Sequence, residues 1–296
     1  MPLSTRDLLA QAVSDAAWAQ WTSLGVLADA GGRESRCLDP EALIWLTFAH
    51  PDMLDARLVD AARDWLGINK HLLSIHRLRN VFAEDGAALS DVTAILARQR
   101  EVAKSSRIKT ATKVVEPDPM VNENLAIRLR LLMDAGSRAE VARFLLTWPE
   151  QGADAQHVAT ATAFAKRNVN DILLAFVKGG VVREAWAGNR RVFSADKDRW
   201  CAFLLVRPET LPGYMPWIAL FRSAAHILDW FDAQAMDESP YLRSSSVRDV
   251  VEQVRSDLVS CGLEVPDPSR FPAEAFLGPF DALVGEVAEV VAPQGV

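Results

Sequence analysis

The chain has 296 residues, of which 50 % are apolar and 24 % are charged, and its formal net charge is −7. This composition is ordinary for a globular protein and excludes a largely disordered or collagen-like chain. Because phosphate repels a negatively charged chain as a whole, any affinity for nucleic acid must come from a local basic patch.

The cysteines and the longest apolar runs also limit the possible classes. Cys37, Cys201 and Cys261 lie far apart without CxxC spacing, which indicates reduced, isolated thiols and not a disulfide framework or a zinc site. No apolar run approaches the roughly 18 to 20 residues that span a bilayer, and the N-terminus lacks a signal-peptide pattern. We therefore expect a cytoplasmic protein with no membrane partner.

The first hundred residues predict helices separated by turns. In LDPEALIWLTFAH, Asp39 is placed as an N-cap and Pro40 at the first helical position, which is a favoured combination. Apolar residues recur at helical spacing in the following segments, including PDMLDARLVDAARDWLG and NKHLLSIHRLRNVF. The sequence thus predicts an N-terminal helical domain at residues 1–105.

A basic linker is predicted at residues 106–120, where Ser, Thr, Lys and Pro replace any sustained apolar period. Around it, six basic residues accompany the single acid Glu101. They are Arg98, Arg100, Lys104, Arg107, Lys109 and Lys113. The segment fits either a solvated hinge or an arm that becomes ordered on phosphate.

The central region, residues 121–206, predicts helices followed by a β-hairpin. One helix begins at Ser137, and a short helix begins after Asp154 as its N-cap. The next helix is predicted from one apolar stripe at helical spacing, made of Val169, Ile172, Leu173, Phe176 and Val177. After Gly179 and Gly180, VVREAW and RRVFSA predict two strands joined by a three-residue loop at 187–189.

The remaining residues, 207–296, predict a C-terminal helical domain. The segment WIALFRSAAHILDWF is apolar on nearly every side, which is typical of a helix buried in its own domain or in a subunit contact. The predicted fold class is therefore mainly α, with helical regions on both sides of the central unit.

The stretch HVATATAFAKRNVNDILLAFVKGGVVREAWAGNRRVFSADKD resembles the winged helix-turn-helix superfamily, especially MarR- and ArsR-like bacterial regulators. The resemblance covers about residues 137–200, and it rests on the order helix, short helix, turn, helix, hairpin. It implies that the helix after the turn enters the major groove of DNA and that the hairpin forms a wing. The chain departs from the family at Ala165, which stands where members often have a Ser or Thr cap.

The resemblance implies DNA-binding roles for residues on the third helix and the wing. Those on the helix contact phosphates or base edges, and those near the hairpin tip contact a minor groove or the backbone. The candidate residues are Lys166, Arg167, Asn168, Asn170, Lys178, Arg183, Asn189, Arg190 and Arg191. Residues 157–200 carry eight basic and four acidic side chains, a net +4, which leaves −11 for the rest of the chain.

Two further residues on the exposed side of that helix leave a second interpretation open. Asp171 repels phosphate, although it can accept a hydrogen bond from a cytosine amino group. Leu174 can contact a thymine methyl or a protein surface. The alternatives are thus a sequence-specific transcriptional regulator of the repressor type, binding double-stranded DNA as a homodimer, and a protein-interaction module such as an antitoxin-like or complex-forming subunit.

Enzyme chemistry has no positive support in the sequence. GxxxxGK[ST], GxSxG and HExxH motifs and a GxGxxG after a strand are absent. His71 and His76 are five residues apart on one predicted helix, about 140° from a common face, so they are poor joint metal ligands. We therefore expect no enzymatic activity, no metal and no cofactor.

Overall fold

The computed structural model describes residues 3–27, 34–97, 113–149, 152–234 and 239–294. Within them the chain is mainly helical, and its strands form one hairpin and one two-residue pairing. The helices are α1 (Thr5–Ser23), α2 (Pro40–Ala49), α3 (Ala56–Asn69), α4 (Ile75–Val81), α5 (Gly86–Ala97), α6 (Leu125–Met133), α7 (Ser137–Thr147), α8 (Ala155–Thr162), α9 (Lys166–Lys178), α10 (Lys197–Leu204), α11 (Trp217–Ala233), α12 (Pro240–Ser260) and α13 (Leu277–Val291). The strands are β1 (Val26–Leu27), β2 (Lys113–Val114), β3 (Val182–Ala187) and β4 (Arg190–Ala195).

Helices from both ends of the chain share one hydrophobic core. α1 packs along α13, and α11 packs against α1, α2, α12 and α13. As its apolar sequence indicates, α11 is buried on much of its surface, with Trp217, Phe221 and Leu228 at most 2 % exposed. We call α1–α5 together with α11–α13 the helical body. How the chain divides into domains at residues 105, 120 and 206 stays a prediction.

A second core lies in the middle of the chain. α7, α8, α9, β3 and β4 surround Phe144, Val158, Leu173 and Phe193, all of them buried. We call these five elements the hairpin module. α6 and α10 pack beside it around a small core that includes Trp200.

Only part of the predicted linker belongs to the residues that the structure describes. Residues 106–112, together with all the basic residues of the segment except Lys113, lie outside the described residues. The backbone of Lys113–Val114 pairs antiparallel with Val26–Leu27. The middle of the predicted linker is therefore paired, through β1, with the chain just after the end of α1.

A buried network of ion pairs joins the helical body to the hairpin module. Arg143 Nη2 of the module lies 3.4 Å from Asp39 Oδ2 of the body, and Arg77 Nε of the body lies 3.8 Å from Glu140 Oε2 of the module. Arg130 Nη2 of α6 lies 2.6 Å from Glu140 Oε1. Six side chains, each at most 3 % exposed, form the network. They are Asp39, Glu41, Arg77, Arg130, Glu140 and Arg143.

The network balances three carboxylates against three guanidinium groups. Taking a charge out of water costs several kcal/mol, and only close opposite charges and hydrogen bonds offset that cost. The body contributes Asp39, Glu41 and Arg77, and the module contributes Glu140 and Arg143. Separating the two units would therefore leave these charges exposed to solvent or buried without a partner. We infer that the network fixes the module in one orientation on the body.

Candidate nucleic-acid interface

A short turn between α8 and α9 positions the candidate helix. Asp154 caps α8 by accepting a hydrogen bond from the backbone N–H of His157 at 2.8 Å, as the sequence predicts. Ala163 then takes the left-handed conformation, with φ +57°, and α9 begins at Lys166. Ala165 occupies the N-cap position of α9 without a side-chain hydrogen bond, so the first N–H groups of this helix face solvent or a ligand.

The two strands of the hairpin pair over their full length, from Val182↔Ala195 to Ala187↔Arg190. The predicted three-residue loop is wrong, since Ala187 and Arg190 pair and leave Gly188–Asn189 as a two-residue turn. Gly188 has φ +61°, which suits glycine at the first central position of a tight hairpin turn.

One residue outside the hairpin extends its sheet. Ala153 N–H donates to the carbonyl oxygen of Phe193 at 3.0 Å, and Phe193 N–H donates back to Ala153 at 2.9 Å. This bridge lies directly before Asp154, the cap of α8. It therefore ties the start of α8 to β4, and through β4 to the hairpin tip.

A groove of about 340 Å³ opens between α9, the start of α8 and the hairpin. It brings together five of the nine candidate residues, although they lie up to 25 positions apart in the sequence. These are Lys166, Asn170, Asn189, Arg190 and Arg191. The groove also contains residues that the sequence did not suggest as site residues, namely Asp154, Ala155, Gln156 and Phe193.

The other four candidates lie outside this groove. Arg167 and Lys178 are exposed on α9, and Arg183 is exposed on β3. Asn168 is exposed and donates from Nδ2 to Ser137 Oγ at 3.0 Å, which places it beside the start of α7. Three of the four are on α9 itself, at its exposed face or flank.

Several of the cations already have acidic neighbours within the module. Arg183 Nη2 lies 2.9 Å from Asp196, Arg190 Nη1 lies 3.8 Å from Asp154, and Arg191 Nε lies 2.8 Å from Glu184. The arginine side chains remain 69 %, 81 % and 39 % exposed, so each can exchange its carboxylate for another anion. These are surface pairs, which typically contribute about 0 to 1 kcal/mol.

The pair between Arg183 and Asp196 has an electrostatic consequence. The hydrogen bond from Arg183, together with the backbone N–H of Arg199, lowers the pKa of Asp196 below its ordinary value. Asp196 therefore stays ionised and keeps part of the charge of Arg183 neutralised.

Lys166, Arg167 and Lys178 differ from these arginines. Within the part of the chain that the structure describes, no carboxylate lies within 4 Å of their charged nitrogens. All three are exposed, and the helical body does not cover them. The cationic surface is thus strongest along α9 and partly neutralised on the hairpin.

Among residues 3–27, 34–97, 113–149, 152–234 and 239–294, no group of three or more His, Cys, Asp and Glu side chains could hold a metal ion. The three cysteines are free thiols, and burial raises the pKa of Cys37 to about 11. No helix in these ranges combines the length and the apolar character that crossing a bilayer requires.

Comparisons of the chain with protein-family models, with curated proteins and with solved structures found no match.

Proposed function

We propose that the chain is a duplex-DNA-binding transcriptional regulator of the repressor type, built around a winged helix-turn-helix. In this proposal α9 enters the major groove, and the hairpin is the wing that contacts the adjacent backbone or minor groove. The observation that carries the proposal is the groove in which Lys166 and Asn170 of α9 face Asn189, Arg190 and Arg191 of the hairpin.

The local architecture supports this assignment. α7, α8, the turn at Ala163, α9 and the hairpin follow one another in the order typical of that superfamily, and the Ala153–Phe193 bridge adds a third strand position beside β4. A fold alone does not define a function, so what favours DNA binding is the chemistry of the exposed surface.

The distribution of charge supports it further. Residues 157–200 carry a net +4 on a chain of net −7. Phosphate contacts would position the protein, while Asn170 and the N-terminal residues of α9 would read base edges, where asparagine suits adenine and arginine suits guanine. A homodimer would then place two copies of α9 on half-sites about one helical turn apart.

Fluorescence anisotropy with a random-sequence duplex tests the proposal. Between about 50 mM and about 200 mM salt, we expect affinity to fall roughly tenfold or more, as expected when contacts to at least two phosphates release counterions. Selection from a random duplex library would then give the preferred sequence. An absence of salt-sensitive binding even at the lower salt concentration would rule out the proposal.

The second candidate is a protein-interaction module, such as an antitoxin-like or complex-forming subunit. It is favoured by the half-buried Leu174 beside Asp171 on α9, and by the carboxylates that already neutralise Arg183 and Arg191. Purification of the full chain from its native host distinguishes the two. A stoichiometric protein partner together with no duplex binding would favour this candidate.

A further inference from the structure

Trp186 is a large aromatic side chain that the hairpin holds in solvent, where it is 67 % exposed. It lies one residue before the end of β3 and pairs directly across the hairpin with Arg191. The Arg191 guanidinium carbon lies 5.9 Å from the centre of the indole ring, within the range of a cation–π contact. The two side chains therefore form one exposed unit near the hairpin tip.

The register places this unit on the face of the hairpin that packs into the module. Side chains alternate between the two faces of a strand, so the pair Trp186↔Arg191 shares a face with the pair Glu184↔Phe193. Phe193 is buried at 1 % exposure, whereas Trp186 is two residues farther toward the tip and extends past the core. Its cross-strand partner Arg191 lines the groove opposite Lys166.

The surroundings of Trp186 favour one class of ligand. An apolar protein surface docked here would have to desolvate Arg191 beside the ring together with its partner Glu184, and taking an ion pair out of water is costly. A nucleic acid instead supplies flat bases for the indole and phosphates for the arginines. Aromatic side chains beside cationic grooves stack on bases in this way.

We propose that Trp186 stacks on a base of the bound DNA, at a step that opens toward the hairpin, while Arg190 and Arg191 hold the flanking phosphates. The inference rests on the proposed DNA-binding function and adds a determinant of specificity to it. Unstacking two neighbouring base pairs takes the least free energy where their stacking is weak. The protein should therefore prefer duplexes with a flexible pyrimidine–purine step or a mismatch at that position.

The test compares the unsubstituted 296-residue chain and three variants on a matched duplex and on the same duplex with one central mismatch. Trp186→Ala should bind the mismatched duplex about fivefold to a hundredfold more weakly, the range expected for loss of one base–aromatic stack, and should lose the preference for it. Trp186→Phe should retain the preference. Arg167→Ala should weaken binding to both duplexes by the same factor.

A second readout reports stacking directly. Permanganate oxidises thymines that are unstacked, so on the matched duplex the wild-type complex should show one reactive step, and the Trp186→Ala complex should not. Circular dichroism melts confirm that each variant is folded. If the wild type binds neither duplex, both the DNA-binding function and this role are wrong. If Trp186→Ala keeps the mismatch preference and the reactive step, the stacking role alone is wrong.

Discussion

Arg77 of α4 donates a hydrogen bond from Nε to the carbonyl oxygen of Thr162, the last residue of α8, at 3.0 Å. On the next turn of α4, Asn80 Nδ2 donates to the carbonyl oxygen of Ala163 at 2.7 Å. The turn that sets the direction of α9 is therefore held from outside the hairpin module, by the helical body. Through Arg77, the same contact belongs to the buried ion-pair network.

Replacing Arg77 with methionine should destabilise the protein strongly. The variant leaves Asp39 and Glu41 buried without their shared partner, and breaking a buried pair from one side typically costs about 3 to 5 kcal/mol. Urea unfolding measures the loss. Arg57→Met is the matched control, because Arg57 is 77 % exposed and pairs only at the surface, where about 0 to 1 kcal/mol is typical. Equal losses in the two variants would mean that the network contributes no more than a surface pair.

The stability of the protein should also depend on pH through Glu140. Burial alone would raise the pKa of Glu140, but Arg143, Arg130 and Arg77 outweigh it and hold the pKa well below the ordinary 4.5. A carboxyl with a lowered folded-state pKa stabilises the fold fully above its unfolded pKa, and this stabilisation is lost as pH falls below that value. We therefore expect the unfolding free energy to decrease below about pH 4.5.

The variant Glu140→Gln isolates this contribution. It should be less stable than the wild type at pH 7, and the difference should shrink as the pH is lowered, because the Glu140 carboxyl of the unfolded wild type then gains a proton while the folded one stays ionised. Urea melts at about pH 7, 4.5 and 3 give the comparison. A difference that stays constant over this range would assign the effect of the substitution to packing and not to charge.

Asp154 offers a way to alter the charge of the groove without altering the fold. Asparagine caps a helix about as well as aspartate, so Asp154→Asn should preserve the start of α8 and leave stability unchanged within about 0.5 kcal/mol. It removes the acid that lies 3.8 Å from Arg190. Affinity for duplex DNA should rise by about 1 kcal/mol, roughly fivefold.

Asp52→Asn on the helical body is the control for this change of overall charge, since Asp52 is exposed in the turn after α2. It should change the affinity little at physiological salt, where charges farther apart than about 8 Å are screened. A weaker complex with Asp154→Asn than with the wild type would exclude phosphate from this groove.

Local signals in the sequence predicted much of the central region. Asp39 with Pro40 and Asp154 each cap a helix start that the structure has, because caps act within one turn of the chain. α7 also begins at Ser137 as predicted, although its N-cap is Gly136 and makes no side-chain hydrogen bond. The apolar stripe of α9 and the two strands of the hairpin could also be predicted, because each is a pattern within one short segment. The length of the hairpin loop could not be predicted, since Ala187 and Arg190 suit either a turn or the last pair of the strands.

Long-range relationships could not be predicted from one sequence. The bridge between Ala153 and Phe193 involves a single residue without any strand pattern of its own. The ion-pair network joins residues from Asp39 to Arg143, and apart from the N-cap Asp39 each of them looks like an ordinary solvated charge in its local segment. The left-handed Ala163 stands where glycine is usual, and the hydrogen bond from Asn80 that holds it comes from 83 positions away.

Two matched double variants show whether α9 and the hairpin together contact DNA phosphates. The quantity to measure is the salt dependence of duplex binding. Lys166→Ala with Arg190→Ala removes two cations from opposite sides of the groove, and Arg57→Ala with Arg63→Ala removes two exposed cations from the helical body. We expect the first pair to lower the slope of log affinity against log salt by about 2 and the second to leave it unchanged. Identical slopes and affinities for the two double variants would contradict these contacts.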